Sequence, residues 1–105
     1  MQVYLRPDGS SPFQTWFEGL DDIANARVTR LLTRLEVGNV SNVKSVGEGV
    51  RELKIDFGPG YRVYFGMDGR TLIILLGGGT KKRQGEDIAA AQDAWADYKK
   101  RKKKE

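Results

Sequence analysis

Residues 50–76 read VRELKIDFGPGYRVYFGMDGRTLIILL and predict three consecutive β-strands. Over residues 50–57 and 61–66, apolar and polar side chains alternate, which is the two-residue period of a strand with one buried face. A Gly-Pro-Gly sequence and the pair Asp68-Gly69 separate the segments, and Asp-Gly is a strong hairpin signal. Residues 71–76 are almost wholly apolar, which is typical of a central strand covered on both faces.

The two turns predict how the three strands pair. A three-residue loop places Ile55 opposite Val63, and a two-residue Asp-Gly turn places Val63 opposite Ile74. Both hairpins then agree on one apolar face, which two N-terminal helices can cover. The opposite, open face carries Ile73, Leu75 and two cross-strand pairs, Lys54 with Tyr64 and Asp56 with Arg62.

The flanking segments complete one α+β domain. Residues 2–6 alternate as a short strand, and Ser11-Pro12 begins a helix with a capping hydroxyl followed by proline. A second helix follows an aspartate cap and ends at Gly38, and a third spans about residues 86–100. The order is therefore β-α-α-β-β-β-α, with an antiparallel-dominated sheet of four strands, two N-terminal helices and one C-terminal helix.

Composition excludes several classes of site. The 105 residues contain no cysteine and no histidine, which excludes disulfides, Cys/His zinc sites, thiol nucleophiles and histidine catalysis. No segment has the roughly 18 apolar residues of a membrane span, and the first residues do not form a signal peptide. We therefore expect a cytoplasmic protein with no metal, no small-molecule cofactor and no membrane partner.

Basic charge is concentrated in two parts of the chain, which has 18 Lys and Arg, 14 Asp and Glu and a net charge of +4. Residues 51–83 carry seven basic and three acidic side chains, and residues 99–105 carry six basic and one acidic side chain. We assign residues 1–98 to the domain and residues 99–105 to a basic C-terminal tail, which is either solvated or attracts nucleic acid. The basic centre predicts a localised anion site for RNA, DNA or phosphate.

An ordered set of four motifs runs through the chain. They are residues 51–55 (RELKI), residues 58–65 (GPGYRVYF), residues 75–82 (LLGGGTKK) and the helical set Asp87, Ile88, Ala91, Trp95 and Tyr98. This set resembles the RelE/ParE toxin superfamily, and the nearest branch is the phage-derived, HigB-like addiction-module killer proteins. The resemblance implies a RelE-like fold and the toxin of a type II toxin–antitoxin system, neutralised by a cognate antitoxin that is a small helix-turn-helix protein.

Most RelE-like and HigB-like toxins cleave mRNA in the ribosomal A site, so the resemblance implies a ribosome-dependent mRNA endonuclease whose partners are the ribosome and mRNA. Arg62 matches the arginine that contacts the scissile phosphate, and Lys54 lies where the family places a catalytic group. Residues 81–83 match a basic stretch that here follows a flexible glycine loop. The resemblance implies catalytic roles for Arg62, Lys54 and Lys82, and RNA-binding roles for Arg51, Tyr64, Lys81 and Arg83.

RNA cleavage without a metal needs a base for the 2′-hydroxyl, stabilisation of the phosphorane and a proton for the 5′-oxygen. The planar guanidinium of Arg62 suits the phosphorane. Nearby cations favour the neutral amine of a lysine, which makes Lys54 and Lys82 the candidates for proton exchange. The general acid is unassigned, because the chain has no histidine and the helical spacing of Tyr98 assigns that residue to packing.

Each assignment has an alternative. Arg62 could form a cross-strand salt bridge with Asp56, Lys54 could be a solvated strand lysine, and Tyr64 could be a half-buried strand aromatic. Two other functions also stay open. One is a ParE-like inhibitor of DNA gyrase that does no chemistry, and the other is a non-toxic, antitoxin-binding remnant of the fold.

Overall fold

A computed structural model describes residues 1–104 of the chain. Its strands are β1 (Gln2–Val3), β2 (Val43–Ser45), β3 (Arg51–Ile55), β4 (Tyr61–Asp68) and β5 (Leu72–Thr80). Its α-helices are α1 (Pro12–Glu18), α2 (Asp22–Glu36) and α3 (Gln84–Lys103), and a 3₁₀ turn (Lys81–Arg83) joins β5 to α3. The predicted α+β class and the three helices are confirmed, and none of these helices is long and apolar enough to cross a membrane.

The five strands form one mixed sheet in the order β1-β5-β4-β3-β2. β3, β4 and β5 pair antiparallel as predicted, and β1 pairs in parallel with β5. The predicted count of four strands is wrong, because residues 43–45 add a fifth strand at the edge, antiparallel to β3. The predicted loop contains this strand because half-buried Val43 packs against the core beside Leu53.

The register of both hairpins differs from the predicted one. Ile55 pairs with Tyr61, so the loop between β3 and β4 has five residues, and Lys54 lies opposite Arg62. Gly58 and Gly60 have φ angles of 56° and 80°, and this left-handed backbone turns the chain before Asp56 can pair. The predicted pairs of Lys54 with Tyr64 and of Asp56 with Arg62 are therefore wrong.

The second hairpin changes which face of β5 meets which helices. Asp68 pairs with Leu72, so the turn has three residues rather than two, and a β-bulge interrupts the ladder between Tyr64 and Phe65. Ile73 and Leu75 consequently join the α1 and α2 side, and Ile74 joins the α3 side, which reverses the predicted faces. The prediction that this strand is covered on both faces is confirmed.

Two apolar cores lie on opposite faces of the sheet. The first contains buried residues of α1, α2 and the central strands, namely Phe13, Val28, Leu32, Leu35, Leu53, Ile55, Val63, Phe65, Ile73 and Leu75. The second contains Tyr4, Val50, Tyr64, Ile74, Leu76, Ala91, Ala94 and Trp95, the last three from α3. The face that was predicted to be open is therefore covered by α3 over much of its area.

The helix ends follow the sequence signals. The Ser11 hydroxyl accepts a hydrogen bond from the Gln14 amide at 3.0 Å, and the Asp21 carboxylate accepts one from the Ala24 amide at 2.8 Å. Both are N-caps that satisfy otherwise unpaired helix amides. At the other end of the chain, α3 continues to Lys103, so most of the predicted basic tail is helical. Glu105, the last residue of that tail, lies outside the described residues.

Candidate functional site

Four polar residues lie side by side on the α3 face of the sheet, near the start of that helix. Glu52 pairs across the strands with Tyr64, and Lys54 pairs with Arg62. We call Glu52, Lys54, Arg62 and Tyr64 the polar strip. It forms because these residues occupy alternate positions of β3 and β4, so that their side chains share one face. Three of the four were predicted as site residues, and the structure brings those three together.

Arg62 and Glu52 form a buried charged pair in the middle of the strip. Arg62 is 6% exposed and Glu52 is 1% exposed. Arg62 Nε lies 3.5 Å from Glu52 Oε1, and Gln84 Nε2 donates a hydrogen bond of 2.9 Å to Glu52 Oε2. Lys44 Nζ also lies 3.8 Å from Glu52 Oε1. The acidic partner of Arg62 is therefore Glu52, and the proposed salt bridge with Asp56 is not formed.

Several buried polar atoms of the strip lack a hydrogen-bond partner within the described residues. They are Nε and Nη1 of Arg62 and the hydroxyl oxygen of Tyr64. An unsatisfied buried donor costs about 1–3 kcal/mol, so native proteins rarely keep one without a reason. Burial, followed by the negative charges of Glu52 and Asp87, raises the pKa of Tyr64, which keeps its phenol protonated. Tyr64 has no exposed surface, so in this conformation its ring cannot stack on a base.

Asp87 adjoins the strip from the first turn of α3, and the sequence analysis missed it as a site residue. It packs so closely on the backbone of Gly79 that a Cβ placed there would lie 2.1 Å from Asp87 Oδ2. Gly79 is the residue of β5 opposite Arg62. Burial raises the pKa of Asp87, which favours the protonated carboxyl. The sequence signal that could have indicated Asp87 was the run Gly77–Gly79, which predicted a flexible loop. These glycines instead belong to β5, and the missing side chain at Gly79 lets Asp87 approach the strand closely.

The other predicted site residues are exposed cations. Lys54 is exposed beside Arg62, and Lys81, Lys82 and Arg83 are exposed in the 3₁₀ turn that follows Thr80. Because Thr80 pairs with Tyr61, next to Arg62, this turn begins near the same end of the strip. Arg83 is engaged with Glu86, to which its Nη2 lies 2.6 Å away. Lys54, Lys81 and Lys82 therefore supply the accessible positive charge.

Arg51 lies apart from this group. It pairs with Phe65, which belongs to the core on the α1 and α2 side, so its side chain projects from the opposite face of the sheet. The structure thus brings together Lys54, Arg62 and Tyr64 and separates Arg51 from them. Within residues 1–104, no group of three Asp or Glu side chains is arranged to hold a metal ion.

One family profile matches most of the chain. The sequence profile of the family described as phage-derived protein Gp49-like (DUF891) matches residues 15–101. A protein of Haemophilus influenzae that carries only the description "uncharacterized protein" is 42% identical over 81 residues, which span 76% of this chain and 82% of that protein. No solved structure matches the chain significantly.

Proposed function

The chain belongs to the phage-derived Gp49-like family, which is of the RelE/ParE toxin type, and we propose that it acts as the toxin of a type II toxin–antitoxin pair by cleaving mRNA on the ribosome. Members of this family are generally the toxins of such pairs. The observation that carries the proposal for mRNA cleavage is the position of Arg62. Its unbonded donors lie beside exposed Lys54 and near the start of the basic turn at Lys81 and Lys82.

The residues of the polar strip and the lysines of the 3₁₀ turn beside it have different roles in the proposed cleavage. Lys81 and Lys82 hold the RNA backbone, because exposed lysines neutralise phosphates without reading sequence. Lys54 acts on the 2′-hydroxyl, and the fork of Arg62 stabilises the phosphorane. Because Arg62 is 6% exposed and pairs with Glu52, binding of RNA must expose Arg62 and replace its Glu52 contact with a phosphate contact.

Asp87 supplies the proton that the leaving 5′-oxygen requires. A carboxyl whose pKa is raised by burial retains its proton closer to neutral pH than an exposed aspartate does. Asp87 packs on Gly79, the residue of the neighbouring strand β5 that lies opposite Arg62. This assignment fills the role of general acid that the sequence left unassigned.

Burial of Arg62 and Tyr64 favours a second candidate function. Both residues are at most 6% exposed, and a polypeptide that only binds DNA gyrase needs no accessible catalytic arginine. In this second function the exposed cations steer association, and the polar strip is structural. The mRNA-cleavage proposal predicts that mRNA is cut while supercoiling stays normal. The gyrase proposal predicts that supercoiling is inhibited while mRNA stays intact.

Induced expression distinguishes the two functions. We expect growth arrest with new mRNA 5′ ends inside ribosome-covered codons, and normal supercoiling by purified gyrase. The variant Lys54→Ala should lower the cleavage rate about 10²-fold or more, the usual contribution of a general base. The matched control is Lys103→Ala, because Lys103 is exposed at the end of α3 and forms no hydrogen bond or ion pair with residues 1–104.

Two outcomes contradict the cleavage proposal. Inhibited supercoiling with intact mRNA would assign the chain to the gyrase inhibitors. Unaffected growth, together with a stable complex with the product of the adjacent reading frame, would identify a non-toxic remnant. Equal cleavage by wild type and Lys54→Ala would remove Lys54 from the mechanism.

A further inference from the structure

Gln84 lies where the basic 3₁₀ turn ends, and it is the first residue of α3. Its side chain is half-buried, and its Nε2 donates a hydrogen bond of 2.9 Å to Glu52 Oε2 on β3. An ionised carboxylate only accepts hydrogen bonds, so the amide nitrogen of Gln84 must face it. This bond joins residues 32 positions apart in the chain and connects the start of α3 to the polar strip.

The two carboxylate oxygens of Glu52 have different partners. Oε2 accepts the hydrogen bond from Gln84, whereas Oε1 lies 3.5 Å from Arg62 Nε and 3.8 Å from Lys44 Nζ. A carboxylate that pairs fully with an arginine uses both oxygens, in two parallel hydrogen bonds of about 2.7–2.9 Å. Because Gln84 occupies one oxygen and Lys44 shares the other, Glu52 does not form that bidentate pair with Arg62.

Arg62 is consequently close to a negative charge but incompletely hydrogen-bonded. It is 6% exposed, and its Nε and Nη1 have no hydrogen-bond partner within residues 1–104. Buried opposite charges attract strongly, and closing the gap of 3.5 Å to Glu52 would satisfy these donors. A restraint on Glu52 is therefore needed to keep the gap open, and the hydrogen bond from Gln84 is in the position to supply it.

We propose that Gln84 is a positioning residue for Arg62. It retains one oxygen of Glu52, and Lys44 competes for the other, so that Arg62 keeps Nε and Nη1 available for a phosphate oxygen. The role of Arg62 rests on the proposed mRNA cleavage, whereas the restraint on Glu52 rests on the contacts described above. Without Gln84, Glu52 turns onto the guanidinium, and RNA must then break two charge-assisted hydrogen bonds before Arg62 contacts a phosphate.

The Nε–H signal of Arg62 in heteronuclear NMR of the full chain reports this pairing in the absence of RNA. The signal is identified by its loss in Arg62→Lys. Gln84→Met keeps the length of the side chain and removes the donor. In this variant we expect the signal to move downfield and its exchange with water to slow at least about tenfold, because a hydrogen bond to Glu52 forms.

The matched control is Gln92→Met. It removes a hydrogen bond of the same length, 2.9 Å from Gln92 Nε2 to the Val46 carbonyl, from the same helix. It should leave the Arg62 signal unchanged. A role of Gln84 in stability alone would lower the melting temperature of both variants and would not move the signal of Arg62.

Steady-state cleavage of ribosome-bound mRNA gives the second measurement. Gln84→Met should lower kcat about tenfold or more, because the new hydrogen bonds between Glu52 and Arg62 must break before the transition state is reached. Its KM should change less than about twofold, because Lys81 and Lys82 still hold the RNA backbone. Gln92→Met should leave both constants unchanged.

Three results overturn the proposal. They are an Arg62 signal that is the same in wild type and Gln84→Met, equal changes in Gln84→Met and Gln92→Met, and a shifted signal without any loss of kcat. If Gln84→Met proves unfolded by circular dichroism, Lys44→Met decides instead, because Lys44 is 65% exposed and its removal frees the other oxygen of Glu52. An unchanged Arg62 signal in Lys44→Met then refutes the restraint.

The NMR measurement also separates this proposal from the proposed function. If the wild type cleaves no mRNA, the cleavage proposal fails, and the Arg62 signal in Gln84→Met still shows whether Gln84 restrains Glu52. If the wild type cleaves mRNA and the signal does not move, the cleavage proposal stands and the positioning role of Gln84 is refuted.

Discussion

Arg62 and Glu52 are buried opposite charges whose closest atoms lie 3.5 Å apart, between the two central strands. Removing one member of such a pair leaves the other charge uncompensated, which costs about 3–5 kcal/mol. We therefore expect Arg62→Ala to lower the free energy of unfolding by about that amount in urea denaturation. If Arg62 lay on an open face of the sheet, by contrast, the same substitution would lower the free energy of unfolding only slightly.

Two variants control this prediction. Arg70→Ala removes an arginine from the exposed turn between β4 and β5 and should change stability by less than about 0.5 kcal/mol. The double variant Glu52→Gln, Arg62→Met removes both charges and should recover most of the loss, because buried ion pairs contribute little net stability over apolar replacements. An Arg62→Ala protein as stable as wild type would show that the pair is not desolvated.

Asp87 gives the protein a pH dependence of known sign. Its folded-state pKa is raised by burial, so its contribution is favourable while the carboxyl is protonated and is lost as the pH rises through that value. We expect Asp87→Asn to be more stable than wild type at pH 7 and equally stable at pH 3, measured by thermal melts. Asp93→Asn, on the exposed side of the same helix, is the control. A stabilisation that persists at pH 3 would assign the effect to packing instead.

At the scale of elements, α1 is joined to β5 through the close packing of Trp16 on Gly78. A Cβ at Gly78 would lie 2.2 Å from the indole ring, a distance that forces the helix or the strand to move. Gly78→Ala should therefore cost about 1–3 kcal/mol, the usual penalty for overpacking. Gly77→Ala is the matched control one residue earlier, with nothing within 4 Å of the added carbon. Equal melting temperatures for the two variants would contradict this packing.

The last turns of α3 are fixed to the rest of the chain by charged side chains. Arg101 donates to the Leu5 carbonyl, lies 2.7 Å from Asp97 and stacks over the Tyr4 ring at 5.2 Å. Lys102 contacts Asp68, which also accepts a hydrogen bond of 2.6 Å from Tyr98. We expect Arg101→Ala to cost about 1–2 kcal/mol in chemical denaturation. Lys103→Ala should have no measurable effect, and a similar loss in both variants would contradict specific anchoring.

Strand periodicity was sufficient to predict β3 and β4, because each has alternating residues that define its buried face. The apolar run of β5 predicted a strand covered on both sides, but it could not say which residues face which helices. Periodicity did not predict the register, since the left-handed Gly58 and Gly60 and the bulge at Tyr64 shift the pairing without changing the alternation. The same limit applies to the site. Lys54 and Arg62 share a face as predicted, whereas the burial of Arg62 depends on Glu52 and on α3, which starts more than 20 residues later.

Across the whole molecule, acidic and basic charge are separated into different surfaces. Lys54, Lys81 and Lys82 are exposed near one end of the polar strip, whereas Asp93 and Asp97 line a groove between α1 and α3. The basic surface suits phosphate.

The salt dependence of RNA binding tests this separation. Each phosphate contact on a single strand contributes about 0.7 to the slope of log affinity against log salt, so Lys81→Ala with Lys82→Ala should reduce the slope by about 1.4. Arg30→Ala with Arg34→Ala, two exposed arginines on α2, is the matched control and should leave the slope unchanged. Equal slopes for wild type and the lysine variant would exclude the basic turn from RNA contact.

The contact between Arg101 and the Leu5 carbonyl joins residues 96 positions apart in the chain. Closing so large a loop costs more conformational entropy than closing any of the hairpins, so we expect this contact to form after the folding barrier has been crossed. Interactions that are absent from the transition state affect the unfolding rate and leave the folding rate unchanged. Damage at this junction therefore shortens the lifetime of the folded protein, and a newly made chain still reaches the native state as quickly as before.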